Sequence, residues 1–286
     1  MRRVYVSVVI LFALAVVVNA QNSRAATALS YLERGNQWLK KGDIEKAIED
    51  FSFALTFEPT LFQAYYNRGA ARELKGDQEG ALNDYSKTLQ LNPRYADAYL
   101  SRGVLFIKQA SYQNAISDFD QVIASNPRDA RAWVNRAIAQ YFSGNFDAAL
   151  FDCSQAIKLD PKDAGAWAAR GEIRLQKNDL DRALADCEHA LKIESRSILA
   201  WHTRGNIWLR KGDLTRALAD FDQAVALNPR EAFLLCTRGL VLLQMNRLEA
   251  AEKDFDRCRE LGGSLPPEVE KRLRAAQQWR SGRPKQ

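Results

Sequence analysis

Two residue types recur at a spacing that suits charge recognition. Arg34, Arg68, Arg102, Arg136, Arg170, Arg204 and Arg238 follow one another at intervals of 34 residues, and Asp50, Asp84, Asp118, Asp152, Asp186, Asp220 and Asp254 keep the same interval. A guanidinium held level with a carboxylate forms a bidentate pair. A run of arginines in register also suits anion binding, but an equal run of acids argues against it and for a structural ladder of ion pairs. The ingredients of catalysis are sparse. The chain has two histidines, His189 and His202, and nothing in the spacing places either beside a nucleophile. It contains no HExxH, no CxxC and no glycine-rich phosphate loop. The reading is a protein without enzymatic activity, cofactor or metal.

The interval of 34 also organises the rest of the chain. Trp201 is matched by Trp167, Trp133, Tyr99 and Tyr65, and Ala217 by Ala47, Ala81, Ala115, Ala149, Ala183 and Ala251. Such a period signals a repeat array, in which each unit buries its apolar face against its neighbours. Within the unit 198–231, Trp201, Arg204, Gly205 and Trp208 fall on one stripe of a helix, and Ala217, Phe221 and Ala224 on the stripe of a second. Gly212 suits the left-handed end of the first helix and Asp213 can cap the second. Asn228-Pro229 stops it, because the residue before a proline is pushed out of the helical region. Each unit is an antiparallel helical hairpin. Positions 7 and 23, the arginine and the aspartate, are equidistant from the turn, so they lie at one level.

These residues resemble the tetratricopeptide repeat. Trp201, Gly205, Trp208, Ala217, Phe221, Ala224 and Pro229 carry its signature, and the resemblance covers seven units from 28 to 265, starting at 28, 62, 96, 130, 164, 198 and 232. It implies an all-α fold, a right-handed α-solenoid of seven tandem helix-turn-helix units. Residues 21–27 form a lead-in, 266–280 a C-terminal capping helix with Val269, Leu273 and Ala276 on one side, and 281–286 a basic tail. The departures are local: Ala137 replaces a glycine, Cys153 and Cys187 replace an aromatic residue, and Ser195 and Gly263 replace the proline.

The resemblance further implies a concave groove that holds a protein or peptide ligand. Its most apolar stretch falls on repeats three and four, at Leu100, Val104, Ile107, Val134, Ile138, Tyr141 and Phe142, and repeat seven adds Phe233, Leu240 and Leu243. The alternative is that several of these pack against the neighbouring helix. A carboxylate clamp found in one branch of the family is incomplete: Asn36 and Asn67 match, but Leu32, Asp97 and Ser101 stand where basic residues are needed.

Four cysteines remain. Cys153 and Cys187 occupy equivalent sites in adjacent repeats. Packed helices lie about 8–10 Å apart, whereas a disulfide needs Cα atoms within about 7 Å, so both read as small core residues. Cys236 and Cys258 lie at similar heights in repeat seven but are expected to face different ways, and so to stay unbridged.

Residues 1–20 read as a secretory signal: Arg2 and Arg3, an apolar run from Val4 to Val18, then Asn19-Ala20. Cleavage would expose Gln21, and the alternative is an uncleaved anchor. Either places the repeats outside the cytoplasm, in the periplasm or secreted. The charge balance agrees with a neutral body. Of 41 Lys plus Arg and 35 Asp plus Glu, the leader holds two bases and residues 266–286 hold six bases and two acids, which leaves 33 of each. Nucleic-acid binding needs a clustered basic face and is not expected. Membrane contact is confined to the leader or to Lys271, Arg272, Arg274, Arg280, Arg283 and Lys285.

Overall fold

A computed structural model describes residues 23–281. The leader at 1–20 and residues 282–286 of the tail lie outside the described residues, as does the side chain of Ala276. Hairpins follow in tandem: α1 (residues 23–41) with α2 (Ile44–Phe57), α3 (Phe62–Lys75) with α4 (Gln78–Leu91), and α5 (Ala96–Lys108) with α6 (Tyr112–Ser125). Then come α7 (Ala130–Phe142) with α8 (Phe146–Leu159), α9 (Ala164–Gln176) with α10 (Leu180–Ile193), and α11 (Ile198–Arg210) with α12 (Leu214–Leu227). The last pair, α13 (Ala232–Gln244) and α14 (Leu248–Glu260), precedes α15 (Pro267–Ser281). The described residues contain no strand. The chain is thus all-α, in the tandem-hairpin arrangement of the α-solenoid class, and divides into two compact units at 135/136, with α7 crossing the division.

Turn chemistry sets the hairpins. The residue fifteenth in each repeat adopts positive φ: Gly42, Gly76, Gly144 and Gly212 at 79–88°, and Ala110, Asn178 and Asn246 at 56–60°. Asparagine tolerates this region through its polar side chain, whereas Ala110 meets it with a Cβ and no compensation. Asp43, Asp77 and Asp213 then cap the second helices by accepting from the amides of Lys46, Gly80 and Arg216. Asn145 and Asp179 make no such cap. Asn145 donates instead to the Ser143 hydroxyl, and Asp179 pairs with Arg182.

Inside each hairpin, the helices meet where a small residue faces a ring. A Cβ on Gly103 would lie 2.6 Å from the Cε1 and Cζ atoms of the buried Phe119. Gly35, Gly205 and Gly239 face Phe51, Phe221 and Phe255 in the same way. Repeat four shows the compensation: Ala137, which carries the extra methyl, packs in one cluster with the smaller Cys153. Two departures from the family signature therefore cancel in volume. Gly103→Ala, a change that ordinarily favours a helix by up to about 1 kcal/mol, should here destabilise by about 1–3 kcal/mol through overpacking. A urea midpoint that rises for Gly103→Ala would contradict this packing.

In the second unit, α15 lays Leu273 and Val269 against Val241, Leu242 and Phe255 of the last hairpin. One expectation is overturned nearby. Cys236 of α13 and Cys258 of α14 are joined by a disulfide, their Cα atoms 5.7 Å apart. The fifth position of repeat seven faces its own second helix, so both half-cystines join the cluster formed with Leu234, Leu235 and Val225. Cys153 and Cys187 are free and buried.

Candidate functional site

The arginine–aspartate pair recurs in every repeat. In all seven repeats the arginine Nη2 lies 2.6–2.8 Å from the aspartate Oδ1. Nε closes the fork on the second oxygen, as from Arg102 to Asp118 at 2.8 Å and from Arg204 to Asp220 at 2.8 Å. The bond to its aspartate raises the pKa of Arg102 and of Arg204. The aspartates are buried, and two receive a second guanidinium: Arg72 reaches Asp84 at 2.7 Å and Arg174 reaches Asp186 at 2.6 Å. In four repeats Nη1 reaches the preceding repeat. It donates from Arg68 to Ser52, from Arg102 to Ser86 and from Arg170 to Ser154 at 3.1–3.3 Å, and from Arg238 to Asp222 at 2.9 Å. The ladder therefore ties hairpins to one another as well as helices within a hairpin. The recurrent short polar residue at position 25 was the signal for this second link. Each guanidinium is matched by a carboxylate, so the ladder is charge-paired rather than a run of unmatched cations.

The apolar candidates sort differently from the expectation. In the first unit, Leu100 is only 7% exposed and belongs to the core, which corrects its assignment to the groove. Val104, Ile107 and Val134 are half-buried. In the second unit, Ile138, Tyr141 and Phe142 come together and line a pocket of about 200 Å³ with Ala137, Ala169, Glu172, Ile173 and Leu199. The site thus spans repeats four, five and six, contributed by α7, α9 and α11. The lining comes from the eighth, ninth, twelfth and thirteenth positions of α7, the sixth, ninth and tenth of α9 and the second of α11, which is how three helices converge.

Phe142 is 54% exposed and Leu199 also reaches solvent, so the two large apolar side chains form the rim. The Tyr141 ring packs edge-on to Phe142 at 5.2 Å and against Phe146 at 5.7 Å. Its hydroxyl donates to Glu172 Oε1 at 3.2 Å, and burial, together with the Glu172 charge, pushes its pKa up to about 12. Gln176 Nε2 donates to the same oxygen at 2.8 Å, and the buried Thr203 hydroxyl donates to Oε2 at 2.8 Å. Glu172 and Leu199 were both missed from sequence: the second position carries a large apolar residue only at Leu29, Leu199 and Phe233, and Glu172 gave no sign of being held against an apolar wall.

No cysteine or histidine lines the pocket. Burial raises the Cys153 thiol to about 12 and Cys187 likewise upward, away from thiolate reactivity. His189 lies against the Trp167 ring at 4.0 Å, and burial lowers the pKa of His202 between Phe221 and Phe233. Among the described residues no group of three or more His, Cys, Asp or Glu side chains is placed to hold a metal ion.

Comparison with known proteins is consistent along the chain. Tetratricopeptide repeat models match residues 96–129, 130–163, 164–196 and 198–231, and a TPR repeat model matches 35–76 and 74–110. Comparison with curated proteins gives no match. Among solved structures, a tetratricopeptide repeat protein from Parabacteroides merdae is similar with a TM-score of 0.73 at 20% identity, over 88% of this chain and 98% of that one. MamA from Desulfovibrio magneticus aligns with a TM-score of 0.56 at 23% identity, over 60% of this chain and 97% of its own. YrrB, described as a TPR protein with an unusual peptide-binding site, aligns with a TM-score of 0.50 at 20% identity, over 65% and 95%. At these identities the likeness is one of fold.

Proposed function

Because the chain belongs to the tetratricopeptide repeat family, whose repeats serve as protein-interaction scaffolds, we propose that it is an exported, non-enzymatic scaffold that captures a protein or peptide through the pocket of repeats four to six. The observation that carries this reading is the pocket itself. Its wall is almost wholly apolar, and Phe142 and Leu199 stand exposed at its rim. Exposed apolar side chains gathered around a concavity mark recognition surfaces. Phe142→Ala should weaken partner capture by about 1–3 kcal/mol, as for an interface hot spot, with helix content unchanged. Asn246→Ser, at a turn of repeat seven, serves as the control. Unfolding of Phe142→Ala, or full retention of every partner by the folded variant, would sink the proposal.

Export is supported by the leader and by the Cys236–Cys258 disulfide, since disulfides persist in oxidising compartments. The N terminus of protein from its native host should be Gln21. A second reading, a membrane-tethered assembly factor with an uncleaved leader, is supported by one feature of the first unit. Phe53 and Phe57 are exposed beside Tyr31, whose ring lies 5.4 and 5.7 Å from the two phenyl rings, and Leu29 is exposed on the same helix as Tyr31, close in the chain to the apolar run. No helix among the described residues is long and apolar enough to cross a membrane. An intact Arg2 terminus in the membrane fraction would decide for tethering.

A further inference from the structure

We propose that the pocket selects a segment in which a large apolar side chain stands beside a lysine or arginine, with Glu172 as the counter-charge. This rests on the reading of the pocket as the recognition site. Its volume, about 200 Å³, suits one such side chain: a dry apolar cavity of about 150 Å³ holds a benzene ring. The walls given by Ile138, Phe142, Ile173 and Leu199 offer such a group no hydrogen bond and so set only its size and polarity.

Glu172 is what gives the pocket a sign. It is the one ionisable carboxylate in the lining, and its three partners, Tyr141, Gln176 and Thr203, are all neutral donors. They fix both oxygens in place without cancelling the charge. A carboxylate has about four acceptor sites, so one is left for the ligand. No ion pair among the described residues involves Glu172, whereas every aspartate of the ladder is matched by a guanidinium. The neighbouring cations do not supply the missing partner. Arg210 directs Nη1 to the carbonyl of Leu175, and His202 sits half-buried between Phe221 and Phe233 with its pKa lowered. Held beside a poorly solvated wall, the carboxylate favours a cation, through a charge-assisted hydrogen bond, and rejects an acidic residue or a terminal carboxylate. The family's carboxylate clamp would select the opposite sign.

The test uses the full chain and three fluorescein-labelled, end-capped peptides of alanine and glutamine with a central phenylalanine followed by lysine, glutamine or glutamate. Fluorescence polarisation should rank lysine over glutamine over glutamate, with about tenfold between the extremes, the size of one good charged contact. Glu172→Gln should shrink that spread to about twofold, and Phe142→Ala should weaken all three. If wild-type protein binds the lysine and glutamate peptides equally, the charge selection is refuted whatever the variants do. A spread that survives Glu172→Gln refutes the role of Glu172 while the pocket stands. Binding of all three that ignores Phe142→Ala, or no binding of any peptide, overturns the pocket reading as well.

Discussion

Replacing Arg102 with methionine should destabilise the chain by about 3–5 kcal/mol, the cost typical of leaving a buried charge without its partner. The pair is asymmetric. The Asp118 side chain is 6% exposed and that of Arg102 is 21% exposed. Losing the arginine strands the buried member. Losing the aspartate leaves a guanidinium that still reaches solvent, donates to Ser86 at 3.1 Å and lies near the Tyr99 and Phe106 rings. Asp118→Leu should therefore cost less than Arg102→Met, and the double variant should recover part of the larger loss, because a hydrophobic pair of similar volume replaces an ion pair at little net cost. The pH dependence has a definite sign. Burial raises the Asp118 carboxyl against the pull of Arg102, and removing Arg102 removes that pull. A carboxyl whose folded pKa exceeds its unfolded value binds its proton more tightly when folded. The deficit of Arg102→Met is thus smallest below the unfolded pKa, about 3.9, and grows as pH rises through the folded value. Denaturation midpoints of both single variants within about 0.5 kcal/mol of wild type, the range of ordinary surface changes, would show that the ladder contributes nothing.

The second large effect belongs to the disulfide. Replacing Cys236 and Cys258 together with alanine should cost about 3 kcal/mol, the chain-entropy value for a closed loop of this size, their separation being 22 residues. The effect should be local. A repeat array is stabilised by nearest-neighbour contacts, so its end opens first when its own hairpin weakens. Amides of α13, α14 and α15 should lose exchange protection, while those of α3 to α6 keep theirs. Identical melting of oxidised and reduced wild-type protein would exclude the bridge in solution.

The fold was legible because one interval of 34 residues carries small, aromatic and proline positions in phase, and no other architecture explains all three. The pairing of Arg102 with Asp118 was legible too, since antiparallel helices bring positions equidistant from a turn to one level. What escaped depends on direction rather than height. Cys236 and Cys258 share a level, but only the packing of α13 on α14 shows that both side chains point inward. Leu100 occupies a groove position by count, yet its side chain is buried. Glu172 was invisible because an isolated acid on a helix is ordinarily solvated, and only its three donors and apolar surroundings distinguish it. Volume compensation between Ala137 and Cys153 was hidden for a related reason: each departure was read on its own helix.

The central claim is that the pocket of repeats four to six receives a segment of another protein. Its most direct test places a photoreactive amino acid at Leu199 in living cells and maps the crosslinked peptide by mass spectrometry. The expected result is an adduct concentrated on one segment of a partner protein, centred on a large apolar residue and lost when Phe142→Ala is introduced. Adducts no more abundant than those from a probe at Asn246, or adducts indifferent to Phe142→Ala, would contradict it.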